Sequence, residues 1–388
     1  MADGPDRIGA LDGLRGLAAL AVVLEHVLLV NPSLVGETAD PARYPTRGTL
    51  PWWLMETPLH LLWAGGEAVF VFFVLSGVVL VLPHLKHDRI SAVDWFEYYP
   101  RRIVRLYVPV LAALVIAVPL MLAFGRAVVS GVPWWNAADR FDLSPRSVLS
   151  EATLLGTPGR VIPALWSLEW EVLFSLLLPL YLVLGRRVRT LPAPLVILGI
   201  LGAVFAGVYT GVAWLTYLPI FGLGVLLAEH RERALLLCSR LRTGQWLLLS
   251  AAAVVLLLNR WLISAVPALS DISQRGRFSH MTIVPAALGA VLAVVIAWQW
   301  APLARFLTSG PAHWLGVRSY SLYVIHMPIV VVVANTFGGW NPLSIPIVTV
   351  CSLLAAHLLH RFVEVPSIRW SRAVGRWASS RGVRPLRG

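Results

Sequence analysis

The 388-residue sequence carries a formal net charge of +12, yet only 13% of its residues are charged and 57% are hydrophobic. Soluble domains average about 25% charged and about 45–50% apolar residues, so this composition excludes an ordinary soluble protein. The basic residues lie at the ends of apolar segments and form no continuous basic face, which argues against a nucleic-acid partner. The two cysteines, Cys238 and Cys351, exclude a disulfide framework and a cysteine-based metal site.

Apolar runs recur along almost the whole chain, and a transmembrane helix needs about 20 such residues. The pattern predicts an all-α fold, a polytopic transmembrane helical bundle with about ten spans. The predicted spans are residues 10–30, 64–83, 104–124, 166–184, 192–210, 213–229, 245–264, 281–300, 319–337 and 344–362. No stretch is typical of a separate soluble domain, so residues 1–388 are predicted to form a single integral membrane domain.

The distribution of basic residues predicts the orientation, because short cytoplasmic loops carry an excess of Lys and Arg. With the N-terminus inside, most of the 32 Lys and Arg fall on the cytoplasmic side. Both termini are therefore predicted to be cytoplasmic, with residues 367–388 as a basic cytoplasmic tail. Two long outer segments, 31–63 and 125–165, are rich in Trp and Pro, which is typical of chain at a membrane interface. They would equally suit a cap over a binding cavity.

The first span carries ionisable side chains, which are costly in lipid and are therefore candidate functional residues. Arg15 and His26 are eleven residues apart, so they project from one helix face about 16 Å apart along the axis. Asp12 lies on nearly the same face and is predicted to orient Arg15 or to hold the N-terminus. A neutral imidazole can take a proton from a hydroxyl and return it to a leaving thiolate. His26 is either such a base or an interfacial histidine bonded to a neighbour, with Glu25 beside it facing head groups.

Three arginines, Arg101, Arg102 and Arg105, lie at the predicted cytoplasmic start of the third span. Arg101 and Arg102 each share a helix face with Arg105, and guanidinium groups so placed suit phosphate contacts. Arginines at an inner helix end are also what topology alone requires. Their position on the same side as Arg15 favours a phosphate-bearing ligand such as acyl-CoA.

Polar groups also occur in the fourth and ninth predicted spans. Trp166-Ser167-Leu168-Glu169-Trp170-Glu171 opens the fourth span with two carboxylates near the interface, and Ser319-Tyr320-Ser321-Leu322-Tyr323 precedes His326 in the ninth. His326 stands just before Met327-Pro328. It is either an active-site residue or a structural residue that satisfies backbone carbonyls left unpaired by the proline.

Together these motifs resemble the acyltransferase 3 family of membrane O-acyltransferases, from Ile8 to Pro366. The matching segments are Leu11-Asp12-Gly13-Leu14-Arg15-Gly16 with His26, Phe72-Phe73-Val74-Leu75-Ser76-Gly77, Arg101-Arg102-Ile103-Val104-Arg105, Trp166-Ser167-Leu168 with Glu171, Ser319-Tyr320-Ser321-Leu322-Tyr323 with His326-Met327-Pro328, and His360-Arg361-Phe362-Val363-Glu364-Val365-Pro366. Each is short, and their shared order makes the resemblance specific. Phe174-Ser175 departs from the family pattern, which usually has Phe-Tyr after the glutamate.

The resemblance implies an enzyme of the bacterial cytoplasmic membrane that transfers an acyl group, commonly acetyl, from cytosolic acyl-CoA to a hydroxyl of a sugar, glycan or macrolide-type acceptor. It implies His26 as the catalytic histidine and Arg15, Arg102 and Arg105 as essential basic residues. Glu171 is predicted to orient the acceptor or His26. Substrate contacts are predicted for Asp12, Trp166, Ser167, Tyr323 and His326. Acyl-CoA would be a co-substrate, with no permanently bound cofactor and no metal.

Two other classes of protein stay open at this point. A transporter or flippase would use intramembrane His and Arg to bind an anionic or glycosylated cargo, although the sequence has no internal repeat that relates two halves. A structural or sensory membrane protein would explain the apolar spans but not six polar motifs in order.

Overall fold

A computed structural model describes residues 5–34, 45–86, 94–125, 129–130, 132–137, 141–156, 158–266 and 280–382. Every regular element within these ranges is helical, which confirms the all-α prediction. Helices suit a chain in lipid because an α-helix satisfies its backbone polar groups within its own segment. The chain divides into two compact units, Met1–Pro83 with Leu180–Ser319, and His84–Pro179 with Tyr320–Gly388. That the whole chain is one functional domain stays a prediction.

The helices follow one another along the chain as α1 (Pro5–Leu28), α2 (Leu50–Met55), α3 (Gly65–Val81), α4 (Trp95–Phe124), α5 (Pro133–Asn136), α6 (Pro145–Thr153), α7 (Trp166–Leu176), α8 (Leu178–Val188), α9 (Ala193–Thr210), α10 (Ala213–Glu229), α11 (Arg231–Cys238), α12 (Thr243–Leu257), α13 (Asn259–Ser264), α14 (Ile283–Gln299), α15 (Ala301–Leu307), α16 (Gly310–Phe337), α17 (Ser344–Leu359) and α18 (Val365–Gly382). Short 3₁₀ segments such as Pro58–Trp63 connect some of them. A π-helical turn, His360–Glu364, joins α17 to α18. The residues predicted as a tail therefore begin as a helix, and residues 383–388 lie outside the described chain.

Within the described ranges, five helical segments are long and apolar enough to cross a bilayer: Gly65–Leu85, α4, α9, α16 and Ser344–Arg381. Three bent pairs, Pro163–Leu176 with α8, α10 with α11, and α14 with α15, raise the number to eight among the described residues if each pair is one span. All ten predicted spans fall on helices. The two others are α1, which carries Asp12, Arg15 and Glu25, and α12, which has only 15 residues. The count of ten spans and the cytoplasmic termini stay predictions.

The fourth predicted span is two helices, because the chain bends by 67° between α7 and α8. Pro179 has no N–H, so the carbonyl of Ser175 lacks its usual helical donor. The Tyr98 hydroxyl donates to this carbonyl at 3.2 Å, and the Tyr99 hydroxyl donates to the carbonyl of Leu176 at 3.1 Å. Two tyrosines of α4 therefore satisfy the backbone where α7 ends.

Glycines bring helices of the first unit into backbone contact. A Cβ at Gly77 of α3 would lie less than 3.0 Å from the carbonyl oxygen of Phe221 in α10. On α1, a Cβ at Gly13 would lie equally close to the Leu307 carbonyl, and one at Gly16 to the backbone of Gly316. Helices in membranes associate largely through such close packing of small residues. The middle of α1 is therefore held by backbone contacts.

A buried glutamate organises the segment before α7 in the second unit. Oε1 of Glu151 accepts hydrogen bonds from the backbone N–H groups of Gly159 at 2.7 Å and Val161 at 2.9 Å. Burial of this carboxyl raises its pKa above the usual range. The Tyr107 hydroxyl donates to the carbonyl of Thr153 at 2.7 Å, which ties α6 to α4. These contacts hold the chain that leads into α7.

We predict that Gly77→Ala lowers the melting temperature of the purified protein in detergent by several degrees. The added methyl group meets backbone atoms that cannot rotate away, and overpacking of this kind costs about 1–3 kcal/mol. The matched control is Gly199→Ala in α9, where a Cβ meets no atom within 4 Å. Equal melting temperatures for the two variants would contradict the close crossing of α3 and α10.

Candidate active site

Arg15 lies beside Asp12 on α1. Nη1 of Arg15 is 3.2 Å from Oδ1 of Asp12, and both side chains are partly exposed. Residues three apart are neighbours on a helix surface, so local helix geometry is enough to make this contact. Because Gly13 and Gly16 pack against backbone in the same unit, the helix turn that carries Arg15 is fixed. A partly exposed guanidinium on a fixed turn can bind an anion.

His26 lies near the other end of α1 and is half-buried. Its Nδ1 is 2.8 Å from the carbonyl oxygen of Val22, one turn earlier. A carbonyl oxygen only accepts, so this contact places a proton on Nδ1, and in the neutral imidazole the lone pair is then on Nε2. In this tautomer Nε2 can accept a proton, which is what a general base requires.

Glu25, which one sequence interpretation placed facing head groups, also contacts a second helix. Its Oε1 accepts a hydrogen bond from the N–H of Gly66 at 3.0 Å. Gly66 belongs to the first turn of α3, where backbone N–H groups have no partner within the helix. The residue next to His26 therefore contacts a second helix of the same unit.

Arg102 and Glu171 form an ion pair in the second unit, with only 15% and 14% of their side chains exposed. Nε of Arg102 also donates to Oγ of Ser175 at 2.9 Å, and this hydroxyl donates to the carbonyl of Glu171 at 2.7 Å. In the sequence, Ser175 is only a departure from the family pattern, and no role is predicted for it. In the structure it helps Glu171 to orient Arg102.

Arg101 and Arg105 are exposed, in contrast to Arg102. Arg101 pairs with Glu97 at 2.6 Å, and its aliphatic stem packs against Gly375 of α18. Exposed pairs of this kind contribute little to stability. The arginine cluster therefore contains one arginine held by α7 and two that present charge at the protein surface.

Ser167 and Tyr323 meet in the interior of the second unit. Their hydroxyl oxygens are 2.7 Å apart, and the Tyr323 hydroxyl lies 2.8 Å from the carbonyl oxygen of Ala164. The simplest arrangement has Ser167 donating to Tyr323, and Tyr323 donating to the carbonyl. Both residues are buried, whereas Trp166 at the start of α7 is half-buried. Two predicted substrate-contacting residues therefore bond each other.

His326 is fully buried in α16, and its ring centroid lies 6.0 Å from that of Tyr323. Its Nδ1 is 3.2 Å from the carbonyl oxygen of Leu322. Pro328 removes the helical donor of a different carbonyl, that of Val324. The Leu322 contact is therefore not the repair of the proline break that the sequence suggested as one role for His326.

The closing sequence motif forms a buried polar cluster in the second unit. Oε2 of Glu364 accepts hydrogen bonds from Ser321 at 2.6 Å and from Nδ1 of His360 at 3.0 Å. The Tyr320 hydroxyl donates to the carbonyl of Leu106 at 2.6 Å. Neighbouring residues of α16 are thus bonded to the π-helical turn and to α4. In the sequence these residues are markers of the family resemblance, and their partners are not predicted.

The predicted site residues fall into two sets, one in each unit. The first unit contains Asp12, Arg15 and His26. The second contains Arg101, Arg102, Arg105, Trp166, Ser167, Glu171, Tyr323 and His326. Among these residues, hydrogen bonds or ion pairs join Asp12 to Arg15, Arg102 to Glu171, and Ser167 to Tyr323.

Comparisons with curated proteins give relatives along nearly the whole chain. YrhL of Bacillus subtilis strain 168, named as a candidate peptidoglycan O-acetyltransferase, is 24% identical over 92% of this chain and 54% of its own length. Acyltransferase MdmB of Streptomyces mycarofaciens is 26% identical over 94% of this chain and 92% of its own. Peptidoglycan O-acetyltransferase OatA of Listeria monocytogenes is 22% identical over 97% of this chain and 61% of its own length.

The chain thus spans about half the length of YrhL and nearly all of MdmB. No solved structure shows a significant match. The acyltransferase 3 family model, described as an acyltransferase domain, matches residues 8–361, which confirms the resemblance of the sequence motifs. This chain therefore belongs to the acyltransferase 3 family.

Proposed function

We propose that this chain is an integral membrane O-acyltransferase of the bacterial cytoplasmic membrane that moves an acyl group from acyl-CoA to a hydroxyl acceptor. The observation that carries the proposal is the contact of His26 Nδ1 with the Val22 carbonyl at 2.8 Å. With its proton on Nδ1, a neutral imidazole has the lone pair on Nε2, which can accept a proton. The family match favours this enzyme over a transporter or flippase.

In the proposed reaction the acceptor hydroxyl gives its proton to Nε2 of His26 while its oxygen attacks the thioester carbonyl of acyl-CoA. The new ester C–O bond forms, the C–S bond breaks, and the imidazolium returns the proton to the leaving thiolate. The atoms balance without a covalent acyl-enzyme or a redox partner. General acid–base catalysis of this kind contributes about 10²–10⁴-fold in rate.

The arginines are proposed to bind the phosphates of acyl-CoA. Arg101 and Arg105 are exposed, with Arg101 paired to Glu97, whereas Arg102 is oriented by Glu171 and Ser175. We therefore assign Glu171 a role in orienting Arg102. Arg15 would guide the extended pantetheine arm along α1, since about 16 Å of helix separates Arg15 from His26.

The acceptor is proposed to be a sugar, glycan or macrolide-type hydroxyl. The relatives support this class, because two bear the name peptidoglycan O-acetyltransferase and MdmB bears the name acyltransferase. An acetyl group is the proposed acyl group for the same reason. Trp166, Ser167, Tyr323 and His326 are proposed to line the acceptor side.

We predict that His26→Ala lowers acyl transfer from labelled acyl-CoA by at least about 100-fold, because the acceptor proton then has no base. Purified protein in detergent is incubated with labelled acetyl-CoA and candidate acceptors, and label in the acceptor is counted. His313→Ala, at an exposed histidine of the same unit, is the matched control. Full turnover by His26→Ala would contradict the role of His26 as the general base. Uptake of a candidate acceptor into vesicles without any acyl transfer would contradict the proposal that the protein is an enzyme.

We predict that Arg105→Ala raises KM for acyl-CoA about tenfold or more, because a charge-assisted contact to phosphate contributes about 1.5–3 kcal/mol. The KM for the acceptor should change far less. Initial rates over both substrate concentrations separate the two constants. Arg305→Ala, at another exposed arginine, serves as the control for loss of positive charge. A change confined to the acceptor KM would contradict the phosphate-binding role.

A further inference from the structure

We infer that Glu25 is a positioning residue for His26, acting through a contact with the start of α3 that glycine alone permits. The inference rests on the proposed function, because it concerns the orientation of the proposed base. Glu25 itself is not proposed to touch the substrate or the reacting atoms.

The carboxylate of Glu25 caps α3 from a neighbouring helix. Oε1 accepts the hydrogen bond of Gly66 N–H at 3.0 Å, and Ala64, which precedes α3, offers no side-chain cap of its own. The first N–H groups of a helix need an acceptor from outside, and the helix dipole favours negative charge at this end. Glu25 meets both requirements, which explains an acidic residue in an otherwise apolar part of α1.

Gly65 brings the start of α3 against the backbone of α1. A Cβ at this position would lie 2.9 Å from Cα of Val22 and still closer to the carboxylate of Glu25. The carboxylate can rotate aside, but the Val22 backbone cannot. A side chain at residue 65 would therefore displace α1 from α3.

Val22 connects this contact to the imidazole. Its carbonyl oxygen accepts the hydrogen bond from Nδ1 of His26 at 2.8 Å. Val22, Glu25 and His26 lie within little more than one helical turn. The contact that Gly65 and Gly66 make with Val22 and Glu25 therefore holds the carbonyl that selects the histidine tautomer. Without the cap, this end of α1 can shift, and the ring can leave the orientation in which Nε2 carries the lone pair.

The test compares Glu25→Gln with Glu25→Ala in the full-length protein. The amide oxygen of glutamine can still accept from Gly66 N–H, so Glu25→Gln should retain kcat within about threefold. Glu25→Ala loses the acceptor and should lose kcat at least tenfold, with KM for acyl-CoA within twofold of wild type. Gly65→Ala should also lower kcat. Gly199→Ala, where the added methyl group meets open space, should have the kcat of wild type.

A second measurement does not depend on turnover. Nitrogen NMR of protein labelled with ¹⁵N-histidine reports the tautomer, and the His26 signals are identified by their loss in His26→Ala. We expect the Nδ1–H form in wild type and Glu25→Gln, and a mixture of tautomers in Glu25→Ala. If acyl transfer is absent in wild type but this tautomer pattern holds, the proposed function fails and the positioning role stands.

Two outcomes would overturn the inference. One is a Glu25→Ala protein with wild-type kcat and an unchanged His26 tautomer. The other is equal loss of kcat in Glu25→Gln and Glu25→Ala, which would mean that the charge of Glu25 matters and its hydrogen bond to Gly66 does not. Melting temperatures of all variants separate loss of folding from loss of orientation.

Discussion

Close packing of α1 through glycine is the constraint on which the candidate site of the first unit depends. Gly13 and Gly16 bring the middle of α1 against backbone, and Gly65 of α3 meets its C-terminal part at Val22. In lipid there is little hydrophobic force between helices, so van der Waals packing at short range has to hold them. Contacts at the middle and in the C-terminal part of α1 therefore hold the helix segment that carries Arg15 and His26.

In the second unit, the corresponding constraint is electrostatic. Arg102 and Glu171 are both largely removed from solvent, and a buried charge without a partner is strongly destabilising. The pair therefore fixes the relation of α4 to α7, while Tyr98 and Tyr99 satisfy the carbonyls where α7 ends. The carbonyl groups at the end of α7 and the carboxylate of Glu171 all contact α4. The bend at Pro179 and the ion pair therefore hold α7 against the same helix.

The polar residues of the second unit have structural partners within that unit. Arg102 has the partner that any buried charge needs, and the same partner orients its guanidinium. Ser167 and Tyr323 satisfy each other's hydroxyls and a backbone carbonyl, and the ring centroid of Tyr323 lies 6.0 Å from that of His326. Such contacts are expected in a membrane protein, because every polar group within the bilayer needs a hydrogen-bonding or ionic partner whether or not it also takes part in chemistry.

The sequence by itself determined the helical class, the position of every predicted span on a helix, and the family, because hydropathy and short motifs are local properties of the chain. The tertiary structure alone decided which polar groups meet. Glu25 and Gly66 are 41 residues apart, and Arg102 and Glu171 are 69 apart, so no local pattern predicts either contact. The bend between α7 and α8 was also missed, since a hydropathy pattern records which residues avoid water and not which carbonyl Pro179 leaves without a donor.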